Sequence, residues 1–242
     1  MKIKTTLTLF LLFITSIAFS QGNGGEGMGP NTANNWNFED SRGVDFTSGY
    51  PVNMPGSNQS YGGATISDTS GHLLFYTNDN KVFNRDHVLM ENGQLIGFFF
   101  FFSNQFSLII PVPESSLRYY IFTVGNAYDP VGLYYHTVDM SLNGGLGSVV
   151  NKNNRIEAGI KAQGKLSAIR HHNKRDFWVV TRIVFDSCYA AFCITPDGVD
   201  PLPVRSHSRY LKPNENQYGE MKFSPDGKFL VEGINYYDMG TY

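Results

Sequence analysis

A strand–turn–strand segment that recurs along the chain is the feature that most constrains its fold. The first copy is residues 64–77, ATISDTSGHLLFYT, in which two apolar stretches flank the turn residues 68–71. Apolar strands joined by a short turn rich in Asp, Ser and Gly predict a β-hairpin. Related segments occupy residues 108–123, 166–181 and 221–232.

The spacing of these hairpins predicts the architecture. The turn centres are Gly71, Ser116, Lys174 and Gly227, which gives intervals of 45, 58 and 53 residues. Further short strands follow each hairpin, so that one repeat contains about four strands. A repeat of this length with four strands is typical of propellers. We therefore predict an all-β fold, a β-propeller of about four to five four-stranded blades in an incomplete ring, over residues 34–242.

Alternation of apolar and polar residues sets the other strand boundaries. In the first repeat, residues 81–85 and 87–90 are predicted as the third and fourth strands, and residues 91–93, ENG, follow them. In the third repeat, residues 188–195 and 202–205 are predicted strands. No segment after the N-terminus shows the sustained spacing of apolar residues that an amphipathic helix requires.

The N-terminus has the form of a secretory signal peptide. Residues 1–20 contain Lys2 and Lys4, an apolar run, and small residues at Ala18 and Ser20, so that Gln21 is the expected mature N-terminus. The run is too short for a membrane span, and no later run is long enough. No cysteine follows the cleavage site, which disfavours a lipid anchor there. Residues 21–33 are rich in Gly and Asn and are predicted to be a flexible lead-in.

The composition of the mature chain excludes some partners. Without the two signal-peptide lysines, 17 basic residues face 21 acidic ones, a net charge of −4. Nucleic acid is therefore not an expected partner, because it requires a basic face. Export permits disulfides, but Cys188 and Cys193 lie five residues apart on one predicted strand. They would point to opposite faces about 16 Å apart at about 3.3 Å per residue, so we expect no disulfide between them.

Five consecutive phenylalanines, residues 98–102, interrupt the pattern. Without alternation, both faces of a strand there would be apolar, which fits a buried strand. The alternatives are a loop with exposed rings, which would favour aggregation, and an artefact of a homopolymeric codon tract. The residues leave these three interpretations open.

The sequence marks out no residue for a catalytic, cofactor-binding or metal-ligating role. The histidines, including His171 and His172 in a turn, do not form a set of three or four converging zinc ligands. Asp79, Asn80 and Asp86 lack the spacing of a calcium loop, although calcium on a surface loop stays an alternative. No pair of carboxylates is marked out for glycosidase chemistry. Tyrosine pairs, such as Tyr119 with Tyr120 and Tyr134 with Tyr135, would place one ring inward and one outward.

The order of several short motifs is specific enough to carry a family resemblance. They are residues 34–38, 43–46, 63–68, 74–77, 82–85, 109–111, 119–123, 139–147 and 177–181. In this order they closely resemble the N-terminal propeller region of large secreted proteins of gliding Bacteroidetes. Those proteins usually end in a gliding-motility-associated C-terminal domain that the type IX secretion system reads. Residues 224–228, SPDGK, also match the turn common in WD-repeat-like and YVTN-type propellers.

The resemblance implies a secreted or cell-surface location and transfers no catalytic residues. The phenylalanine run departs from the family, where small polar residues are expected. At about 50 residues per blade the chain is also shorter than the family's rings, so we expect it to be the N-terminal part of a longer protein. Two functions follow: a non-catalytic interaction or adhesion module for an extracellular glycan or protein, or, as the alternative, a propeller hydrolase acting on polysaccharide or peptide.

Overall fold

The computed structural model describes residues 31–38, 42–54, 63–78, 80–95, 107–124, 132–156, 160–183, 186–209 and 220–233. In these ranges the chain is all-β, as predicted, and its one helical element is a 3₁₀ turn at Asn143–Gly145. The strands, in chain order, are β1 (Asn35–Phe38), β2 (Arg42–Asp45), β3 (Val52–Asn53), β4 (Thr65–Ser67), β5 (Leu73–Asn78), β6 (Lys81–Asn84), β7 (Leu89–Gln94), β8 (Ser107–Pro111), β9 (Arg118–Val124), β10 (Leu133–Asp139), β11 (Ser148–Arg155), β12 (Ala162–Arg170), β13 (Phe177–Ile183), β14 (Cys188–Thr195), β15 (Gly198–Val199), β16 (Val204–His207), β17 (Met221–Phe223) and β18 (Leu230–Glu232).

Four sheets contain these strands. Strands β1, β2 and β3 form one sheet, and β17 pairs with β18 in another. The largest sheet has eight strands in the order β4-β5-β6-β7-β11-β10-β9-β8. The remaining sheet runs β12-β13-β14, and both β15 and β16 pair with β14.

The eight-stranded sheet consists of two antiparallel meanders, β4 to β7 and β8 to β11, which meet at their last strands. That junction is parallel and pairs Ser148 with Glu91. Side chains also connect the opposite ends of the sheet: the Thr77 and Ser107 hydroxyls lie 2.8 Å apart, and the Phe75 and Tyr119 rings pack edge to face. The sheet is therefore barrel-like and nearly closed. Whether the meanders are propeller blades stays a prediction.

The repeated hairpin is confirmed at all four positions, in the pairs β4–β5, β8–β9, β12–β13 and β17–β18. Each turn contains a side-chain oxygen that accepts backbone N–H groups of the same turn, which satisfies donors that the ladder leaves free. The accepting residues are Asp68, Ser115, Asn173 and Asp226. Each turn also has one residue with positive φ: Gly71, Glu114, Lys174 and Gly227. The turns are thus built alike, although their sequences differ.

Two predicted boundaries are wrong. The fourth strand, predicted over residues 87–90, is β7 at Leu89–Gln94, because the turn lies before it: Asn84 Oδ1 accepts the N–H groups of Asp86 and Val88. Residues 202–205, predicted as a strand, lie partly in a loop, and β16 is Val204–His207. Pro203 has no N–H to donate to a ladder, so the strand begins only after it.

The main core is an apolar cluster contributed by β4 to β14 and the segments between them, and Leu73, Tyr76 and Phe83 form a second, smaller cluster. Its largest fully buried side chains include Phe75, Phe122 and Phe192. In β14, buried positions alternate with half-buried ones. Cys188 is buried and Cys193 half-buried, so the prediction that they occupy opposite faces is confirmed, and both are free thiols. The phenylalanine run, residues 98–102, lies outside the described residues.

Candidate functional site

The first polar cluster of the molecule is a buried ion network centred on Glu232 in β18. Its Oε1 accepts hydrogen bonds from Lys165 Nζ at 2.5 Å and from Arg182 at 3.0 Å, and its Oε2 accepts one from the Tyr189 hydroxyl at 2.6 Å. Lys165 Nζ also donates to the backbone oxygen of Gly233 at 2.8 Å. The three donors lie on β12, β13 and β14, so one carboxylate joins three strands of one sheet to the next sheet.

The strand register explains how these donors converge. Arg182 and Tyr189 are direct cross-strand partners of β13 and β14, and direct partners project to the same face of a sheet. The side chain of Lys165 is 0% exposed, and those of Arg182 and Glu232 are 3% and 5% exposed. Charges buried to this degree require partners, because desolvation of an isolated ion costs several kcal/mol. The network therefore fastens β18 to the β12–β14 sheet.

Burial and pairing set the protonation states of this network. Burial raises the pKa of Glu232, but the hydrogen bonds from Lys165 and Tyr189 and the nearby positive charges outweigh it, so that the pKa is below its ordinary value. Burial lowers the pKa of Lys165, and the contacts with Glu232 oppose that change. Burial raises the pKa of Tyr189, as does the hydrogen bond that the phenol donates to the carboxylate. The carboxylate is therefore ionised and its donors hold their protons.

A second cluster lies at the edge of the same sheet and contains Asp186, Cys188 and His207. Their possible ligand atoms all lie within 4.8 Å of one another. Cys188 Sγ is 2.9 Å from His207 Nδ1 and 3.4 Å from Nε2. Asp186 and Cys188 are half-buried and buried, and His207 is exposed.

The fold brings these three residues together through register. Cys188 begins β14 and pairs directly with His207, which ends β16. Asp186 lies in the bend that leads into β14, two residues before Cys188, and this bend brings its carboxylate to the end of the ladder. The backbone around them is also fixed, since Ser208 N–H donates to Ser187 O at 2.8 Å and Ser187 N–H donates to Asp186 Oδ1 at 2.7 Å.

The electrostatics of Cys188 disfavour a nucleophilic role. Burial raises the pKa of its thiol, and the hydrogen bond and charge of Asp186 raise it further. A catalytic cysteine needs a lowered pKa, usually from a neighbouring cation. The effect of the Asp186 carboxylate on the thiol is therefore the opposite of the one that activates a nucleophilic cysteine.

A third polar group is the buried residue His136 in β10. Its Nδ1 accepts the N–H of Asn153 at 2.9 Å, and its Nε2 lies 2.9 Å from the Thr123 hydroxyl. Because Nδ1 accepts a backbone N–H, the proton of the neutral ring is on Nε2 and is donated to Thr123. Burial, with a smaller effect from Lys152, lowers the pKa of His136 to about 3. The ring is therefore a neutral structural element.

The other residues considered from the sequence lie in turns or pack against neighbouring side chains. Asp68 and Gly71 lie in a turn, as predicted. The ring centroids of His171 and His172 are 4.2 Å apart and the ring planes are tilted by 42°, so the two side chains pack against each other. Tyr120 and Tyr134 are buried while Tyr119 and Tyr135 are half-buried, which confirms the alternation. The half-buried rings pack on Phe75 and Tyr120, so both contribute to intramolecular packing.

The sequence alone does not predict either polar cluster. Lys165 and Glu232 are 67 residues apart, and nothing local marks them as partners. The second cluster has a local signal, the D-x-C segment at the start of β14, but the predicted strand at residues 202–205 leaves His207 outside the ladder. Placing the strand after Pro203 would have included His207 in the ladder, but its pairing with Cys188 depends on the register of the two strands.

Comparison with known proteins does not assign a function to the chain, so a function has to be inferred from the sequence, the fold and these clusters. No protein-family model, curated protein or solved structure matches the chain. Within the ranges that the structure describes, no helix is long and apolar enough to span a membrane.

Proposed function

We propose that this chain is a secreted or cell-surface β-propeller that acts as a non-catalytic interaction or adhesion module. We further propose that it is the N-terminal part of a larger type IX secretion cargo protein. The partner is an extracellular glycan or protein. The proposed location depends on the signal peptide and the family resemblance. The proposed architecture depends on the strand topology, and the non-catalytic role depends on the pKa values of three buried carboxylates.

Strand topology supports the propeller architecture. Three successive units, β4 to β7, β8 to β11, and β12 to β14 with β16, each contain four antiparallel strands. Strands β1 and β4, β8 and β12, and β12 and β17 are in contact, and each of these pairs joins the first strands of successive units. First strands that neighbour one another around an axis are the arrangement expected of blades.

The state of the buried carboxylates is the observation that carries the non-catalytic assignment. Asp139 is held by Ser141 and Arg118, Asp176 by Arg175 and Asn173, and Glu232 by Lys165, Tyr189 and Arg182. These contacts lower the pKa of all three groups. A general acid of a glycosidase requires the opposite, a carboxyl group with a raised pKa. These carboxylates therefore favour structural ion pairs over hydrolysis.

Binding and turnover measured on the same ligands test this proposal. The full chain is applied to an array of extracellular glycans and to immobilised matrix proteins, and each ligand that binds is then incubated with the chain and assayed for new reducing ends or new peptide termini. We expect saturable binding without product. Product release that is abolished by a conservative substitution of one carboxylate, in a variant with an unchanged circular-dichroism spectrum, would establish the hydrolase instead.

A further inference from the structure

We propose that Asp186, Cys188 and His207 form a zinc site at the outer edge of the β12–β16 sheet. The site goes beyond the interaction function, and its assignment does not depend on that function. It would hold Zn²⁺ through one sulfur, one imidazole nitrogen and one carboxylate oxygen. The fourth position would be taken by water, since the described residues offer a converging set of three ligands.

The geometry of the three residues fits a metal of this size. Zinc binds sulfur at about 2.3 Å and nitrogen or oxygen at about 2.0–2.2 Å in a tetrahedron, so that neighbouring ligand atoms lie about 3.3–3.6 Å apart. All three ligand atoms here fall within 4.8 Å of one another. The Cys188 Sγ–His207 Nδ1 distance is 2.9 Å, so the imidazole must move outward by about half an ångström to admit the ion. His207 is exposed, which leaves its ring room to make this movement.

The donor set selects zinc over the hard cations. Calcium and magnesium take oxygen ligands almost exclusively, whereas two of the three ligands here are sulfur and nitrogen. On binding, the Zn²⁺–sulfur bond replaces the S–H bond of Cys188, the proton passes to solvent, and the hydrated ion loses to solvent all of its water molecules except the one in the fourth position. The thiolate and the carboxylate then supply two negative charges, which the ion neutralises.

The site has a structural consequence for β16. This strand is held by its ladder to β14, and all four of its side chains are exposed. A zinc ion shared by β14 and β16 would fasten the two strands at the end of the ladder where Cys188 pairs with His207. At a free zinc concentration a hundred times Kd, the ratio of folded to unfolded chain rises about a hundredfold.

Isothermal titration calorimetry of the full reduced chain with Zn²⁺, and absorption spectroscopy with Co²⁺ as a probe, test the site. We expect one equivalent of Zn²⁺ to bind, Ca²⁺ not to compete, and Co²⁺ to give the thiolate-to-metal charge-transfer band of a cysteine ligand. Cys188→Ser should abolish that band and weaken Zn²⁺ binding at least about a hundredfold, and His207→Gln or Asp186→Asn should weaken it at least about tenfold.

Cys193→Ser is the matched control, because Cys193 lies on the same strand and projects to the opposite face. It should retain both the Zn²⁺ affinity and the charge-transfer band. The proposal is overturned if Cys188→Ser binds Zn²⁺ as tightly as the unaltered chain, or if Cys193→Ser loses the band. Circular dichroism checks that each variant is folded before titration, and His207 is exposed, so its substitution should not disturb the fold. The proposal is also overturned if folded His207→Gln binds Zn²⁺ as tightly as the unaltered chain.

Discussion

Lys165 and Glu232 form a buried ion pair between β12 and β18, strands that belong to different sheets and lie 67 residues apart in sequence. Arg182 donates to the same carboxylate oxygen. Two cations therefore share this carboxylate oxygen, and the three residues are not equivalent as sites of substitution.

Glu232→Gln should be more destabilising than Lys165→Met. The first change removes the carboxylate and leaves the fully buried Lys165 cation beside a neutral amide, which costs about 3–5 kcal/mol of unfolding free energy. The second leaves Glu232 with Arg182 and Tyr189, and it places an apolar side chain of similar length at a fully buried position. Urea denaturation of both variants measures the difference. Equal losses, or a greater loss for Lys165→Met, would contradict the network as described.

Asp226→Asn is the surface control for this experiment. Its carboxylate pairs with Lys228 at 3.2 Å, but both side chains are at least half exposed. Exposed pairs contribute little because water and salt screen them. The midpoint of urea denaturation should therefore remain close to that of the unaltered chain.

His136 should make the protein less stable in mild acid. Its pKa in the folded state, about 3, is below its ordinary value of 6.5. Between these values the unfolded chain binds a proton that the folded chain excludes, so the unfolding free energy falls as the pH decreases, by at most about 1.4 kcal/mol per pH unit. Above pH 6.5 both states are neutral and the contribution is constant.

Denaturation at pH 7, 6 and 5 measures this slope. The slope should be smaller in His136→Gln, because the titrating ring is gone, and unchanged in His172→Gln, which alters an exposed histidine of the turn after β12. A slope that is the same in all three proteins would show that His136 is not the source. The quantity compared is the change in unfolding free energy between pH values within each protein. A lower stability of His136→Gln at pH 7 therefore does not affect the comparison.

Gly71→Ala should cost more stability than Gly49→Ala. Both glycines have positive φ, 96° and 85°, so either substitution strains the backbone by about 1–2 kcal/mol. A Cβ at Gly71 would also lie 2.7 Å from Asn34 Nδ2, whereas a Cβ at Gly49 meets nothing within 4 Å. The Gly71 oxygen further accepts hydrogen bonds from Asn35 and Thr47, which tie the first hairpin to the β1–β3 sheet. Thermal unfolding of the two variants measures the difference in their stability. Equal losses would contradict the prediction, because they would mean that Asn34 moves away from the added Cβ without cost.

The exported chain should begin at Gln21. Mass spectrometry of the protein recovered outside the expressing cell identifies its N-terminus. Ala18→Arg places a long charged side chain at the −3 position and should block cleavage, while Gly25→Arg, beyond the site, should not. Recovery of exported protein that begins at Met1 would contradict the signal-peptide interpretation.

The local part of this fold could be predicted from the sequence. The four hairpins follow from turn chemistry that short segments contain, such as Asp68 and Gly71 in the first. The end of β7 could not be predicted, because residues 91–93 have the composition of a turn and are strand only through their pairing with β6 and β11. The start of β16 was predictable from Pro203, whose missing N–H prevents an earlier start.

The clusters could not be predicted for a different reason. In the sequence Lys165 is a polar residue of a predicted strand, and nothing near it indicates that it is buried. Its burial is explained by the contact with Glu232, which lies in another sheet. The pairing of Cys188 with His207 depends on the register of β14 and β16, and a shift of one residue would separate them. Long-range register is a property of the assembled core and is not encoded in any one segment.

The convergence of three strands on Glu232 also has a consequence for how the chain acquires its structure. The carboxylate leaves the ribosome after all of its donors, and it cannot be desolvated favourably until β12, β13 and β14 present Lys165, Arg182 and Tyr189 together. We therefore expect β18 to dock late, after its neighbouring sheet has formed. Until then Lys165 would lack the carboxylate with which it pairs in the folded chain, so this part of the β12–β14 sheet would stay hydrated until β18 docks.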